Sequence, residues 1–419
     1  MIARQISILA FSLLITLLSC DTDRNVIPVY ETYFTKYYGE DGNQESADLL
    51  VNDDGSMVML ANSTSQTGIL STPFIVKVDA SGNVVWQREL GEEDEVAVDV
   101  EVDRQGNLIV VSTVRRNENS RIRIYRITQE GKGLDSVLIV STVWQVAKSV
   151  TQVSDGDYLI GGYAGPDLVQ DPELALPEDQ NDLLVYRVDE QFSKEPKLES
   201  TQGGEHSGKI VDIFESKQPG EVKYLIFGDS DRPLTETEAL RQNFEVIVRD
   251  RFGTVSYKGP LTDDSQVKIA STAIETPLFQ QEAYLMVGST VFNVTNSNIF
   301  FAQYVNDKNE LRIRVSKALP FDRKMEGISA AIGLDGSIFI LANEFQDNNN
   351  RDMFLVKLGS DGDAVIATSR FGSLEGDDSA GAVRVLADGR IAVLGTIQLE
   401  TQKKMVLIIL SPDGNFTNG

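Results

Sequence analysis

FIVKVDASGNVVWQREL, residues 74–90, is two strand-like runs hinged on a short polar turn. Val, Ile, Phe and Trp fill the runs, as a pleated, half-buried surface favours. Asp79, Ser81, Gly82 and Asn83 fill the turn, where Gly tolerates positive φ and the others bond their own backbone. Two readings compete. Asp79, Ser81, Asn83 and Trp86 are either the working groups of a ligand loop or one tooth of a repeating frame. The rest of the chain decides for the frame, because the pattern returns at regular intervals.

Runs that follow the polar, mostly Gly-centred turns align as DDGSMVMLANS, RQGNLIVVST, SDGDYLIGGY, GEVKYLIFGDS, QEAYLMVGST, LDGSIFILAN and ADGRIAVLGT. Their turn positions, Gly55, Gly106, Gly156, Gly220, Gln281, Gly336 and Gly389, are separated by 51, 50, 64, 61, 55 and 53 residues. A second series lies one strand later: FIVKVDASGN, IRIYRITQEGK, LLVYRVDEQFS, FEVIVRDRFGT, FFAQYVNDKNE, FLVKLGSDGD and LIILSPDGN. Each unit holds four short β-rich runs: one after an acidic Gly-rich loop, such as AVDVEVD, one after the tight turn, one of the FIVKVD type and one of the VVWQREL type. No long helical period interrupts them.

Seven four-strand units at this period predict an all-β fold, a seven-bladed β-propeller of four-stranded antiparallel blades. A solenoid of stacked sheets is the alternative, and it needs capping ends. The ends of this chain interlock instead. YETYFTKYYG, residues 30–39, is a lone strand ahead of the first unit, and MVLIILSPDG, residues 405–414, stops the last unit after its third strand. The N-terminal strand is predicted to complete the last blade and so remove its open edge. Blade five departs most, because TPLFQQEAY lacks the turn glycine.

The loops LGEEDEVAVDV, QGGEHSGKIVD and FGSLEGDDSAGAV, each ahead of a strand and followed by a DG turn, resemble the β-propeller repeats of secreted and lipid-anchored bacterial proteins. The resemblance covers residues 30–419 and is specific for fold, not function. The N-terminus agrees with it. Arg4, the apolar stretch from Ile6 to Leu18 and the ending LLSC, with the chain's single cysteine Cys20, have the charged start and short apolar core of a secretory signal. LLSC resembles the lipobox of bacterial lipoproteins, which implies cleavage before Cys20 and a lipid on it. The expected organisation is a signal peptide at 1–19, lipidated cysteine and tether at 20–29, and one propeller domain at 30–419. The implied location is the cell envelope, at the outer membrane. A tether of about nine residues reaches at most about 30 Å, so the domain is expected close to its membrane.

A hydrophobic content of 41% in 419 residues is ample for a core, while the formal charge of -25 makes nucleic acid a poor partner. Turns between first and second strands, and between third and fourth, are short and share one face. The second-to-third connections NSTSQTGILSTP, YAGPDLVQDPELALPEDQND and GDSDRPLTETEALRQN are long and share the opposite face with the blade-to-blade loops. Loops carry function more often than frames, so the candidate binding face is marked by Glu92, Glu93, Asp94, Asp167, Asp171, Glu205, His206, Asp229, Asp231, Asp377 and Asp378. Thr235 and Glu238 have capping-box spacing for a short helix in one of these loops.

Chemistry finds little support. Asp79, Gly82 and Trp86 resemble the tryptophan-docking repeat of quinone-dependent dehydrogenases, but the turn is one residue shorter and Trp144 is the only other tryptophan, so a ring of docked indoles cannot form. His206 is the sole histidine, which leaves no triad and no zinc site. Asp229 and Asp231 open a loop in which Pro233, Leu234 and Leu240 break a helix-loop-helix calcium pattern. Calcium stays open only through irregular loops, and no other cofactor is implied. Asp99 and Asp212 fall early in the innermost strands and are expected to accept hydrogen bonds between blades. The sequence therefore reads as a monomeric, non-catalytic binding or scaffold module for an envelope protein or a glycan. The alternatives are a carbohydrate-active enzyme, hydrolase or lyase, using loop carboxylates, and a scaffold in outer-membrane assembly, by analogy with a lipid-anchored propeller of similar repeat style.

Overall fold

The computed structural model describes residues 33–416, apart from 66, 67, 69, 92, 93, 116–119, 142, 143, 166–181, 203–207, 232–241, 252, 261–265, 277–280, 294, 309, 349, 374 and 375. Within them lie 28 strands in seven four-stranded antiparallel sheets. Blade one is β2 (Asn43–Val51), β3 (Met57–Thr64), β4 (Ser71–Val78) and β5 (Val84–Glu89). Blades two to six repeat this meander as β6–β9, β10–β13, β14–β17, β18–β21 and β22–β25. Blade seven is β26 (Ser379–Val385), β27 (Ile391–Leu399), β28 (Gln402–Leu410) and, at its outer edge, β1 (Phe34–Tyr38). The innermost strands touch their neighbours all the way round, β26 meeting β2. The ring is thus a seven-bladed propeller closed as expected, with Phe34 opposite Ile409 and Tyr38 opposite Met405.

The core lies between blades. Seven buried clusters form, and each joins two consecutive blades: Met57, Met59 and Phe74 meet Leu394 and Leu407 across the seven-to-one junction, while Val58, Leu60 and Ile75 meet Val100 and Val110 across the next. Middle strands are therefore apolar on both faces, and each fully buried Leu, Ile, Val or Phe contributes about 1.5–3 kcal/mol.

The opening stretch is one of the hinges of this frame. Asp79 Oδ1 accepts the N–H groups of Ser81 and Asn83, both at 2.9 Å, and Gly82, at φ 75°, donates to Asp79 O. The closing strand docks on this turn: the Tyr38 hydroxyl donates to Gly82 O at 2.7 Å and Lys36 Nζ to Asn83 Oδ1 at 3.0 Å. Trp86 packs on the neighbouring blade, its indole N–H donating to Gln129 O at 2.9 Å.

Every innermost strand carries one extra residue where it pairs with the second strand, as between Ser46 and Asp48 or Ala97 and Asp99. The residue facing that bulge is small in all seven blades: Ala61, Ser112, Gly162, Gly228, Gly288, Ala342 and Gly395. At Gly288 an added Cβ would run into the Ile269 carbonyl oxygen. Blade five, least regular in sequence, has the longest middle strands, β19 (Ala283–Asn293) and β20 (Asn296–Asp307). Their connection, like that between β27 and β28, is a two-residue turn, so long second-to-third connections belong to only some blades.

Asp79→Ala removes a turn acceptor from an accessible site, so stability should fall by about 1 kcal/mol. Gly288→Ala forces strand backbone apart and should cost about 3 kcal/mol. Urea unfolding midpoints of the two variants measure the difference, and the ring should still close in Asp79→Ala.

Candidate functional site

Two places gather polar chemistry: the central channel and a cleft on the long-loop face of blade six. In the channel, the residue after each inner-strand bulge is Asp48, Asp99, Ser149, Asp212, Thr272, Ser329 or Ala382. The acids at this register stitch blades together. Asp48 Oδ2 accepts Val100 N–H at 3.3 Å, Asp99 Oδ2 accepts Val150 N–H at 2.7 Å and Asp212 Oδ2 accepts Ala273 N–H at 2.8 Å. Asp99 and Asp212 thus take the blade-to-blade role expected of them. Two positions further along their strands, Glu101 and Arg384 join the group, and Arg384 Nη2 donates to Asp48 Oδ1 at 2.7 Å.

Burial and mutual repulsion raise three of these carboxyls, those of Glu101, Asp212 and Asp99. Water reaches Glu101, but the inner strands ring it, and desolvation followed by the charge of Asp48 pushes its carboxyl up to about 7. Desolvation, then Glu101 and Asp48, pushes Asp212 up to about 7. Desolvation first, and then Asp48, Glu101 and Asp212, hold Asp99 well above the usual carboxylate range. Farther toward the long-loop face, burial and the charge of Lys209 push Lys148 down. Among the described residues no three His, Cys, Asp or Glu side chains are placed to hold a metal ion.

The cleft lies between the β23–β24 hairpin and the loop leading from β25 to β26, where β23 is Ile338–Phe345, β24 Arg351–Leu358 and β25 Val365–Phe371. It has a volume of about 560 Å³ and is lined by Gln346, Asn348, Asn350, Asp352, Arg370 and Phe371 among others. Arg370 grips buried Glu344 with two bonds of 2.6 and 2.8 Å, and its guanidinium lies 4.9 Å from the Phe354 ring centre. Gln346 donates to Asp352. Desolvation, then the charges of Asp378 and Glu344, raise Asp352.

Several acids expected on the binding face belong to the frame. Asp229 is 1% exposed and accepts Ala270 N–H at 2.8 Å as well as the Gln242 amide. Asp378 is fully buried and accepts the N–H groups of Gln398, at 2.7 Å, and Ser373. Asp377 is held by Arg351 through contacts of 2.8 and 2.6 Å, and these bonds pull its carboxyl down to about 2 against some desolvation. Asp94 accepts Ser71 N–H at 3.0 Å, and Asp231 sits half-buried at the end of β15 (Lys223–Ser230), where the connection to β16 (Asn243–Asp250) begins. Cys20, Glu92, Glu93, Asp167, Asp171, Glu205, His206 and the Thr235–Glu238 pair lie outside the described residues, as do the signal and tether segments. Sequence reading passed over the cleft, although the run QDNNN at 346–350 is the kind of amide-rich loop that could have marked it.

No protein-family model matches the chain, and no curated protein matches it by sequence. Among solved structures it is similar to the β-propeller domain of the Trilobed protease from Pyrococcus furiosus, at 12% identity, covering 92% of this chain and 97% of that one with a TM-score of 0.46. It is similar to the WD40 domain of SCAP from fission yeast, at 7% identity over 91% and 99% of the two chains, TM-score 0.38. It is also similar to Drosophila Plexin A, solved in complex with Semaphorin 1b, at 10% identity over 90% and 86%, TM-score 0.46. Likeness at this level says nothing of function, and the seven-blade ring rests on the strand pairing itself.

Because the channel acids bind protons more tightly folded than unfolded, ionising them opposes folding. That cost is fully present above about pH 7 and is relieved as pH falls through 7 toward the unfolded values of 3.8 and 4.5. Asp377 works in the opposite sense, but its contribution is lost only as pH falls below 3.8 toward about 2. The melting temperature should therefore be higher at pH 5.5 than at pH 8. Asp212→Asn keeps an acceptor for Ala273 and should raise the melting temperature at pH 8 while flattening the pH dependence, both read by calorimetry.

Proposed function

We propose that this chain is a non-catalytic binding or scaffold module, held at the bacterial cell envelope by a lipid on Cys20 and presenting its long-loop face to an envelope protein or a glycan. The observation that carries the reading is the asymmetry of the disc. On one face most turns are short and bonded to themselves or to the next blade, as at Asp79–Asn83, Asp103–Asn107 and Leu386–Arg390, the connections at 189–196 and 216–222 being longer. On the other lie the blade-to-blade loops, the longer connections and the exposed apolar tips Leu70, Phe292 and Leu399. A face closed by tight turns offers little for recognition, whereas irregular loops on a rigid frame offer varied side chains.

The described acids argue for binding over catalysis. Asp48, Asp99, Asp212, Asp229 and Asp378 each spend an oxygen on a backbone N–H, which suits a frame better than proton transfer. The apolar start of the chain and the LLSC ending support the anchor.

Two measurements test this reading. Cys20→Ser should move the protein from the membrane to the soluble fraction, and retention of the variant in the membrane would overturn the anchor. A photo-cross-linking residue placed at Leu70, Phe292 or Leu399 in native cells should capture a partner, whereas the same residue at Leu334, which is 70% exposed on the tight-turn side, should not. Equal capture from both faces, or none from the loop face, would remove the module as proposed.

A further inference from the structure

We infer that the blade-six cleft is a binding site for an uncharged, hydroxyl-rich sugar, held by the amides of Gln346, Asn348 and Asn350, by Asp352 and by the ring of Phe371. The inference rests on the binding-module reading and names a site and a ligand class within it.

The cleft is preformed. Gln346 N donates to Asn350 O at 2.7 Å and Asn350 N to Asn348 Oδ1 at 2.9 Å, so the hairpin is closed by its own bonds. Gly376 N donates to Ser373 Oγ at 3.0 Å on the opposite wall, and the Arg370–Glu344 fork fixes the side between them. Walls whose described residues are already tied by their own bonds lose less freedom when the site is filled.

Its chemistry selects among ligands. An anion is disfavoured, because Arg370 is already gripped by Glu344 while Asp347 and Asp352 line the cleft. A metal ion is disfavoured as well. The described residues place no set of three acids around a common point, and the carboxyl of Asp352 is held toward its protonated form by burial and by Asp378 and Glu344. What remains is a lining of carboxamides, of which Gln346 already donates to Asp352 and Asn348 already accepts from Asn350 N, together with the carboxyls of Asp347 and Asp352, the Ser373 hydroxyl and one phenyl ring. Such a lining matches vicinal hydroxyls along the edge of a sugar and the C–H face of its ring. A volume of about 560 Å³ is within the usual range for a small-molecule site.

Titration calorimetry of the purified domain with neutral gluco-, galacto- and manno-oligosaccharides tests the site, with a uronic-acid oligosaccharide and calcium chloride alone as separate arms. One neutral sugar should bind. Asn348→Ala and Asp352→Asn should each weaken it about tenfold, and Leu334→Ala on the far side should leave it unchanged, with melting curves showing all variants folded. Absence of neutral-sugar binding, equal binding by the variants, or preference for the uronate or for calcium would overturn the site. If loop-face cross-linking still captures a partner in that event, the binding module stands and only the cleft assignment falls; loss of both removes both.

Discussion

One recurring hydrogen bond holds this ring in register. At five of the seven blade junctions a backbone N–H beside the inner-strand bulge is received by a polar side chain on the preceding blade's second strand. Asn62 accepts Ala97 N at 2.8 Å, Thr113 accepts Ala147 N at 3.0 Å, Asp229 accepts Ala270 N, Asn343 accepts Ala380 N at 2.8 Å and Thr396 accepts Ser46 N at 2.9 Å. The polar residue always follows the small one that faces the bulge, giving the pairs Ala61-Asn62, Ser112-Thr113, Gly228-Asp229, Ala342-Asn343 and Gly395-Thr396. A buried N–H without a partner is costly, so the stitch fixes both the spacing and the order of the blades. The last of these bonds joins blade seven to blade one and makes the ring continuous.

That constraint explains what could be read in the sequence and what could not. The period, the four strands per unit and the exchange of the N-terminal strand were legible because turn glycines and alternating apolar runs are local signals. The role of Asp229 was not. In GDSD it looks like the start of an acidic loop, and only alignment with Asn62 and Thr396 shows that it occupies the stitching position. Asp378 misled for the same reason: an acid in the run EGDDS reads as exposed, yet it is fully buried under the N–H groups it serves. The cleft is illegible locally, because it needs a hairpin and a blade-to-blade loop some twenty-five residues apart.

A second interblade device was present in the aligned runs all along. Lys77, Arg126, Arg187 and Lys357 occupy one register position on the third strands. Lys77 donates to Gln129, Arg126 to Glu190 O, Arg187 to the Tyr224 hydroxyl at 2.7 Å and Lys357 to Pro412 O at 3.1 Å, each in the next blade. Arg249 lies one position further along its strand and so faces the other way, donating to Glu199 of the preceding blade at 2.7 Å. At the junctions of blades one with two, two with three and six with seven these side chains tie the outer half as the polar stitches tie the inner half, so tilting there breaks both.

The pairing of β1 with β28 also sets an order of events in time. Phe34 precedes its partner Ile409 by 375 residues, so β1 has no partner until the strands of the six intervening blades have been made. Contacts between such distant residues are slow to form, and β1 spans only five residues, two of them partnered with the turn at Gly82. Blades one to six can gather their junctions as the chain lengthens, whereas the seventh depends on the arrival of the last strands. The finished ring is topologically a loop fastened by a short clasp, and opening that clasp leaves β28 as an unpaired sheet edge.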